Sequence, residues 1–203
     1  MNDVDRLEYD ALTRQLERMR AMQYAYNRKF FILLLVSTLV AVALILDGRR
    51  EGLAVVCFGL VTTGVTSSFF LHFCDFARVH ARALERRINR LIGRPVLIAS
   101  ELEADYFYPH VSPKLSGFSF AAPGLFFSVF TLHFCVVWGA LVIWAGLKLR
   151  DLMSEGPWFL LLSAWILWTA VQLAYLYHWF VMSGAEARLA ARLAANYSDD
   201  TPA

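Results

Sequence analysis

The fold is decided by residues 30–76, which read FFILLLVSTLVAVALILDGRREGLAVVCFGLVTTGVTSSFFLHFCDF. Two apolar runs, 30–46 and 53–76, flank the polar turn Asp47-Gly48-Arg49-Arg50-Glu51. A membrane-spanning helix needs about 20 mainly apolar residues, and these runs come close to that length or exceed it. Each run becomes charged on the side away from the turn. The pattern predicts a hairpin of two spanning helices that continue as stalks into one aqueous compartment.

A second pair of apolar runs, 118–147 and 157–182, predicts a second hairpin, with a kink at Pro123-Gly124 in its first arm. Helical stalks over 3–29 and 77–93, a loop over 94–117 and a C-terminal helix over 185–197 complete the expected layout. The composition agrees, because 58% of the residues are hydrophobic and 18% are charged. We therefore predict an all-α polytopic membrane protein with four transmembrane helices, forming one compact membrane domain over residues 1–203.

The loop over 94–117 contains one local helix signal. Residues Ser100-Glu101-Leu102-Glu103 match the capping-box pattern, in which the first side chain caps a helix N-terminus. We expect Ser100 to cap a short helix that must end by Pro109, because proline cannot continue a helix interior.

Positive charges near the ends of the predicted spans are unevenly divided between the two sides of the membrane. Within about 20 residues of a predicted span, fourteen lysines and arginines fall on the side of the stalks, the long loop and the C-terminal helix, and four fall in the two short turns. Cytoplasmic loops are enriched in these residues, so both termini are expected in the cytoplasm. The first 29 residues are charged and contain no signal-peptide core. The sequence thus predicts a multi-pass protein of a bacterial cytoplasmic (inner) membrane.

The two stalks carry heptad seams, which are rows of apolar residues at alternating steps of three and four. The first seam comprises Tyr9, Leu12, Leu16, Met19, Gln23, Tyr26 and Phe30, and the second comprises Ala77, Ala81, Leu84, Ile88 and Leu91. Acidic residues flank the distal half of the first seam, and arginines flank the second. Complementary seams of this kind predict an antiparallel coiled coil. The expected pairs are Glu17 with Arg90, Asp10 with Arg94 and Arg20 with Glu85.

A row of small residues marks the second span. Gly59, Thr63 and Ser67 recur every four residues and so share one helix face. Small side chains let helices approach closely in lipid, which makes this a candidate helix-packing face. The alternative is a polar face lining a pore. Gln172 lies deep in the fourth span, and because of this depth we expect its side chain to hydrogen-bond to a neighbouring helix.

The sequence contains none of the common catalytic signatures, such as G-x-S-x-G, H-E-x-x-H, a P-loop or C-x-x-C. We therefore expect no enzyme activity, no metal site and no cofactor. A net charge of +2 gives no indication of nucleic-acid binding. The three cysteines all lie in apolar runs, which argues against a disulfide framework and fits apolar packing.

His72 and His178 leave one alternative open. Each lies about four residues from the cytoplasmic end of its predicted span, and equal depth on two helices is what axial ligation of a b-type haem requires. The first span, however, contains no histidine, and His133 has no partner at its own depth. Hydrogen-bonded histidines near an interface are the favoured interpretation.

The clearest patterns in the sequence, the two heptad seams and the small-residue face, are patterns by which helices contact one another. They predict a non-enzymatic, self-associating membrane protein that acts as an interaction scaffold or a gated pore or effector through its stalks. The expected partners are the lipid bilayer, further copies of the chain and a cytoplasmic protein. The order of stalk, span, span and stalk resembles in outline the small two-span membrane effectors of bacterial defence systems, although the second hairpin departs from it. A haem-binding redox protein and a small transporter or channel subunit are the alternatives.

Overall fold

A computed structural model of the chain describes residues 3–102, 133–182 and 184–197. In chain order, the helices are α1 (Asp3–Asp47), α2 (Arg50–Ile92), α3 (Gly139–Asp151), α4 (Glu155–Tyr177) and α5 (Ala185–Tyr197). Two π-helical segments, His133–Trp138 and His178–Met182, precede α3 and follow α4. A further helical turn begins at Ala99. The predicted all-α class is confirmed for these residues, among which there is no strand.

Three helices are long and apolar enough to cross a membrane: α1 over Arg6–Asp47, α2 over Arg50–Ile92 and α4 over Glu155–Tyr177. Helices α1 and α2 contain the predicted first and second spans, and α4 contains residues 157–177 of the predicted fourth span, 157–182. Of the predicted third span, 118–147, residues 118–132 lie outside the described part, and the remainder forms the first π-helical segment and most of α3.

The apolar segments of these helices show hydrophobic side chains on their outer surfaces. Leu35 and Leu39 of α1 are exposed, as are Leu160 and Leu167 of α4. No residue in the most apolar window of α4 is buried. Helices that are apolar all round are typical of membrane segments, whereas soluble proteins rarely expose large contiguous apolar patches. By length and composition, these three helices could lie in a lipid bilayer.

Glycines with left-handed backbone geometry mark two helix ends. Gly48 follows α1 with φ 72°, and Gly93 follows α2 with φ 75°. Glycine adopts this geometry without the steric penalty of a Cβ, and it therefore stops helices cleanly. At Gly93 the end is a tight one: Gly93 N donates to Arg90 O at 3.0 Å, and Arg94 N donates to Asn89 O at 3.2 Å.

The residues group into two compact units. The first unit comprises residues 1–28, 70–116 and 184–203, and the second comprises 29–69 and 117–183. Helices α1 and α2 each contribute to both units, because each runs without interruption from one residue range into the next.

Each unit has its own hydrophobic core. The core of the second unit is built from Ala41, Ile45, Leu53, Val56, Cys57, Leu60, Trp138, Ala145 and Leu149. The core of the first unit is built from Leu12, Met19, Ala81, Leu84 and Ile88, with Tyr9, Leu16, Leu91 and Tyr197 packed around it. Residues of both predicted heptad seams therefore lie in the core of the first unit.

Candidate functional site

The first unit contains a buried polar network centred on Glu85 of α2. Arg20 Nη2 donates to Glu85 Oε1 at 2.6 Å and to Ser100 Oγ at 2.9 Å. The second carboxylate oxygen of Glu85 accepts a hydrogen bond from the Ser100 backbone N–H at 2.9 Å. Glu85 and Ser100 are only 4% and 1% exposed. Both carboxylate oxygens are thus hydrogen-bonded, which compensates for much of the cost of burying the charge.

Glu85 also explains where the helical turn after α2 begins. The turn starts at Ala99, and its free N–H groups carry a partial positive charge that a carboxylate stabilises. Ser100 was expected to cap this helix with its own hydroxyl. The structure differs, because Ser100 lies inside the turn and its N–H is bound by a carboxylate from another helix.

Asn89 holds the loop that follows α2. Its Oδ1 accepts hydrogen bonds from the backbone N–H groups of Val96 and Leu97 at 2.9 and 2.8 Å. Its Nδ2 donates to Leu97 O at 2.7 Å. One side chain thereby satisfies three backbone groups and fixes the path of the chain after Gly93.

Contacts between α1 and α2 within the first unit run in opposite order along the two helices. Tyr26 stacks on Phe73 with ring centroids 4.7 Å apart, and Cys74 Sγ lies 3.6 Å from Gln23 O. Much nearer the N-terminus, Arg87 Nε and Nη2 both donate to Glu8 Oε1, at 3.0 and 2.9 Å.

Helix α5 contacts this pair of helices through its last residue, Tyr197. The Tyr197 hydroxyl donates to Gln15 Oε1 at 3.4 Å. The oxygen of that hydroxyl also lies 3.3 Å from His80 Nε2. With the hydroxyl proton directed at Gln15, the Nε2–H tautomer of His80 donates to the Tyr197 oxygen. The guanidinium of Arg90 donates to the Tyr197 carbonyl.

Burial shifts the pKa values of His80 and Tyr197 in the directions that favour their uncharged forms. Burial lowers the pKa of His80 from its ordinary 6.5, because desolvation disfavours the imidazolium. Burial also raises the pKa of Tyr197, although its hydrogen bond to Gln15 acts in the opposite direction. Within the described ranges, His80 Nδ1 is buried and has no hydrogen-bond partner.

Of the three charge pairs expected between the stalks, the structure brings together Arg20 and Glu85. Among the described residues, no ion pair joins Glu17 to Arg90 or Asp10 to Arg94. The contacts of Glu8 with Arg87 and of Gln23 with Cys74 place the helices at least one heptad away from the register those two pairs require, although the long side chains of Arg20 and Glu85 still meet.

The small-residue face of α2 bonds mainly to its own helix. Thr63 Oγ1 donates to Gly59 O at 2.8 Å, and Ser67 Oγ donates to Thr63 O at 2.7 Å. Among the residues that the structure describes, a Cβ added to Gly59 would meet only Val55 of the same helix within 4 Å. Ser67 is nevertheless buried, and Gln172 is partly buried on α4.

Indole groups make several of the polar contacts between helical segments of the second unit. Trp165 Nε1 donates to Cys57 O at 3.1 Å, and Trp138 Nε1 donates to Thr38 Oγ1 at 2.8 Å. The ring of Trp138 lies 3.8 Å from the position a Cβ on Gly64 would take. Close packing on α2 therefore involves Gly64, which lies beside the predicted row of Gly59, Thr63 and Ser67.

The two candidate haem ligands belong to different units, His72 to the first and His178 to the second. His178 begins the second π-helical segment. In the described ranges there is no group of three or more His, Cys, Asp or Glu side chains that could hold a metal ion.

The groups assembled in the first unit are suited to positioning and recognition. Glu8 and Glu85 are engaged by arginines, and His80 faces a phenol and the ring of Phe76. The sequence pattern missed Asn89 and Tyr197. Asn89 could have been found because it shortly precedes Gly93 and Pro95. Tyr197 could have been found because it shares one face of α5 with Leu189 and Leu193.

Comparisons with protein-family models, with curated proteins and with solved structures found no match to this chain.

Proposed function

We propose that this chain is a non-enzymatic integral membrane protein that self-associates and serves as an interaction scaffold through its water-exposed first unit. In this proposal four spans form two hairpins in a bacterial cytoplasmic membrane. Both termini and the first unit lie in the cytoplasm. The uneven division of positive charge supports that orientation.

One observation carries the proposal: α1 and α2 are long, and each of them has residues in both units. They have 45 and 43 residues, about twice the number needed to cross a bilayer. The remainder of each helix builds a second core with its own buried ion pair and a docked C-terminal helix. Membrane anchoring alone would not require these features, so the first unit is the part that we expect to meet partners.

Helices α1 and α2 also run without interruption from the residues of the first unit into the predicted spans. A partner that binds the first unit can in this way bias the spans, which is how a scaffold becomes a gated effector.

Reporter fusions test the topology. Fusions after Arg50, Arg94 and Glu155 should report outside, inside and outside. An external signal from the Arg94 fusion would overturn the proposed layout of spans and stalks. The protein mass in detergent, corrected for bound detergent, should exceed that of one chain, and a monomer at every concentration would contradict self-association.

An absorption spectrum separates this proposal from the redox alternative. The purified protein should show no haem band. A Soret band that disappears in both His72→Ala and His178→Ala would establish a haem protein and would end the scaffold proposal.

A further inference from the structure

A pocket of about 560 Å³ lies where α2 ends and the following loop begins. Its lining includes three arginines, an asparagine, a glycine and a proline: Arg87, Arg90, Arg94, Asn89, Gly93 and Pro95. Small-molecule sites commonly have volumes between about 300 and 1,000 Å³, so the pocket is large enough for a compact ligand.

The walls of the pocket are fixed before any ligand arrives. Asn89 holds Val96 and Leu97 through three hydrogen bonds. Gly93 turns the chain with a left-handed backbone, and Pro95 restricts its own φ. A preformed wall lowers the conformational entropy that binding would otherwise cost.

The arginines differ in how they are held. Arg87 is oriented by Glu8, which accepts two of its N–H groups, and Arg90 is oriented by the carbonyl of Tyr197. Arg94 is exposed, and it forms no ion pair with any residue that the structure describes. Two guanidinium groups are therefore anchored and a third is available at the rim.

We propose that this pocket binds the phosphate group of a small anionic ligand. A guanidinium offers N–H donors in a planar fork that matches phosphate oxygens, and such charge-assisted bonds are stronger than neutral ones. Two sources have this chemistry: a soluble phosphate ester or diphosphate, and a lipid headgroup. The inference rests on the first unit alone and goes beyond the proposed scaffold role, since it does not depend on self-association.

Attraction of the arginines to the C-terminus of α2 does not account for their position around the pocket. Arginines often lie near a helix C-terminus because the partial negative charge there attracts them. Two of the terminal carbonyls of α2, those of Asn89 and Arg90, are however already bonded by the N–H groups of Arg94 and Gly93. A dipole interaction also does not require a pocket lined by three guanidinium groups.

The test uses the full chain purified in detergent, with inorganic pyrophosphate as the soluble probe and calorimetry as the measurement. Arg94→Gln should weaken pyrophosphate binding about tenfold, because one charged hydrogen-bonding group is lost from the site. Arg86→Gln is the matched control. It removes the same charge from an exposed position on α2 whose partner, at 3.7 Å, is Glu101, and it should change binding less than about twofold.

A second arm identifies the source of the phosphate. The protein is placed in nanodiscs of phosphatidylcholine with or without phosphatidylglycerol, and thermal unfolding is followed for the wild type and both variants. Stabilisation by phosphatidylglycerol that Arg94→Gln removes and Arg86→Gln retains would support a lipid headgroup. Pyrophosphate binding with the same dependence would support a soluble ligand.

Two results would overturn the proposal. One is equal weakening by Arg94→Gln and Arg86→Gln, which would show a diffuse response to positive charge. The other is a lack of any Arg94-dependent response to both pyrophosphate and phosphatidylglycerol. Circular dichroism of the two variants, expected to match the wild type, confirms that a lost response is not a lost fold.

Discussion

Arg20 of α1 and Glu85 of α2 form a short ion pair, with Arg20 Nη2 2.6 Å from Glu85 Oε1. Their side chains are 19% and 5% exposed, so the pair is largely removed from water. Ser100 joins it through both its hydroxyl and its backbone N–H. Three segments of the first unit, distant in sequence, therefore depend on one carboxylate.

Replacing that carboxylate should be strongly destabilising. Glu85→Ala removes an acidic partner of Arg20 and the acceptor of the Ser100 backbone N–H. Breaking a buried pair in this way typically costs about 3–5 kcal/mol, and the partial exposure of Arg20 favours the lower end. Hydrogen exchange of the amides around residues 97–102 in the purified protein should therefore accelerate sharply.

The exposed pair Arg86–Glu101 provides the control. Its closest N–O distance is 3.7 Å and its side chains are 58% and 49% exposed. Glu101→Ala should cost less than about 1 kcal/mol, because exposed ion pairs contribute little. Equal acceleration of exchange in the two variants would mean that burial of Glu85 is not what makes its pair important.

The register of α1 against α2 can be measured by crosslinking. In a chain free of native cysteine, Glu8→Cys combined with Arg87→Cys should react readily with a short bismaleimide, because these side chains are in contact. Glu17→Cys combined with Arg90→Cys should react poorly. Both pairs replace one acid and one arginine, so a reversed result would indicate the shifted register that the sequence pattern favoured.

Gly64 should tolerate a large side chain less well than Gly59. A Cβ at Gly64 already reaches to 3.8 Å from the Trp138 ring, and the remaining atoms of a leucine would displace this buried indole from Thr38. Gly64→Leu should lower stability by about 1–3 kcal/mol, the usual cost of overpacking, measured by thermal unfolding in detergent.

At Gly59, the part of the chain that the structure describes places no side chain within 4 Å of an added Cβ except that of Val55, on the same helix. Gly59→Leu therefore meets no neighbour like Trp138. Its stability should stay close to that of the wild type. A loss of oligomer mass with unchanged stability would place the Gly59 face at the contact between copies. Equal destabilisation by the two substitutions would contradict the packing at Gly64.

The docking of α5 should weaken in mild acid. His80 lies beyond the predicted span 53–76, and burial lowers its pKa below the ordinary 6.5. Between the folded and unfolded pKa values, the unfolded state binds more protons, so stability rises with pH across that window. The contribution of neutral His80 is complete above about pH 6.5 and is lost progressively as the pH falls below it.

Hydrogen exchange of α5 between pH 7.5 and 5.5, corrected for the intrinsic pH dependence of exchange, measures this effect. Protection should fall towards the acid end in the wild type, and His80→Gln should remove most of that trend. Tyr197→Phe should weaken docking at every pH, since it removes the hydroxyl that contacts Gln15 and His80. A pH trend that persists in His80→Gln would assign the titration to another group.

The all-helical class and three of the apolar helices could be predicted, because hydropathy and helical spacing are local properties of the chain. The pairing of Glu17 with Arg90 illustrates what could not be derived. Heptad seams repeat every seven residues, so a shift of about one heptad still places apolar residues such as Leu12 and Leu84 against each other. The pattern identifies the contacting faces and leaves the register open.

The contacts of Tyr197 and Ser100 were unpredictable for a different reason. Tyr197 meets Gln15 across 182 positions of sequence, and Ser100 meets Arg20 across 80. No periodicity relates residues so far apart, and each contact depends on how separate helices pack.

The position of the tryptophans, two of which bond to Thr38 and Cys57, has an optical consequence. All six tryptophans lie between residues 138 and 179, within the second unit, and the first unit contains none. Tryptophan emission is therefore a native, label-free signal of the second unit alone, whereas far-ultraviolet dichroism registers helices of both. Recorded together during denaturation, the two signals show which unit melts first without any engineered probe.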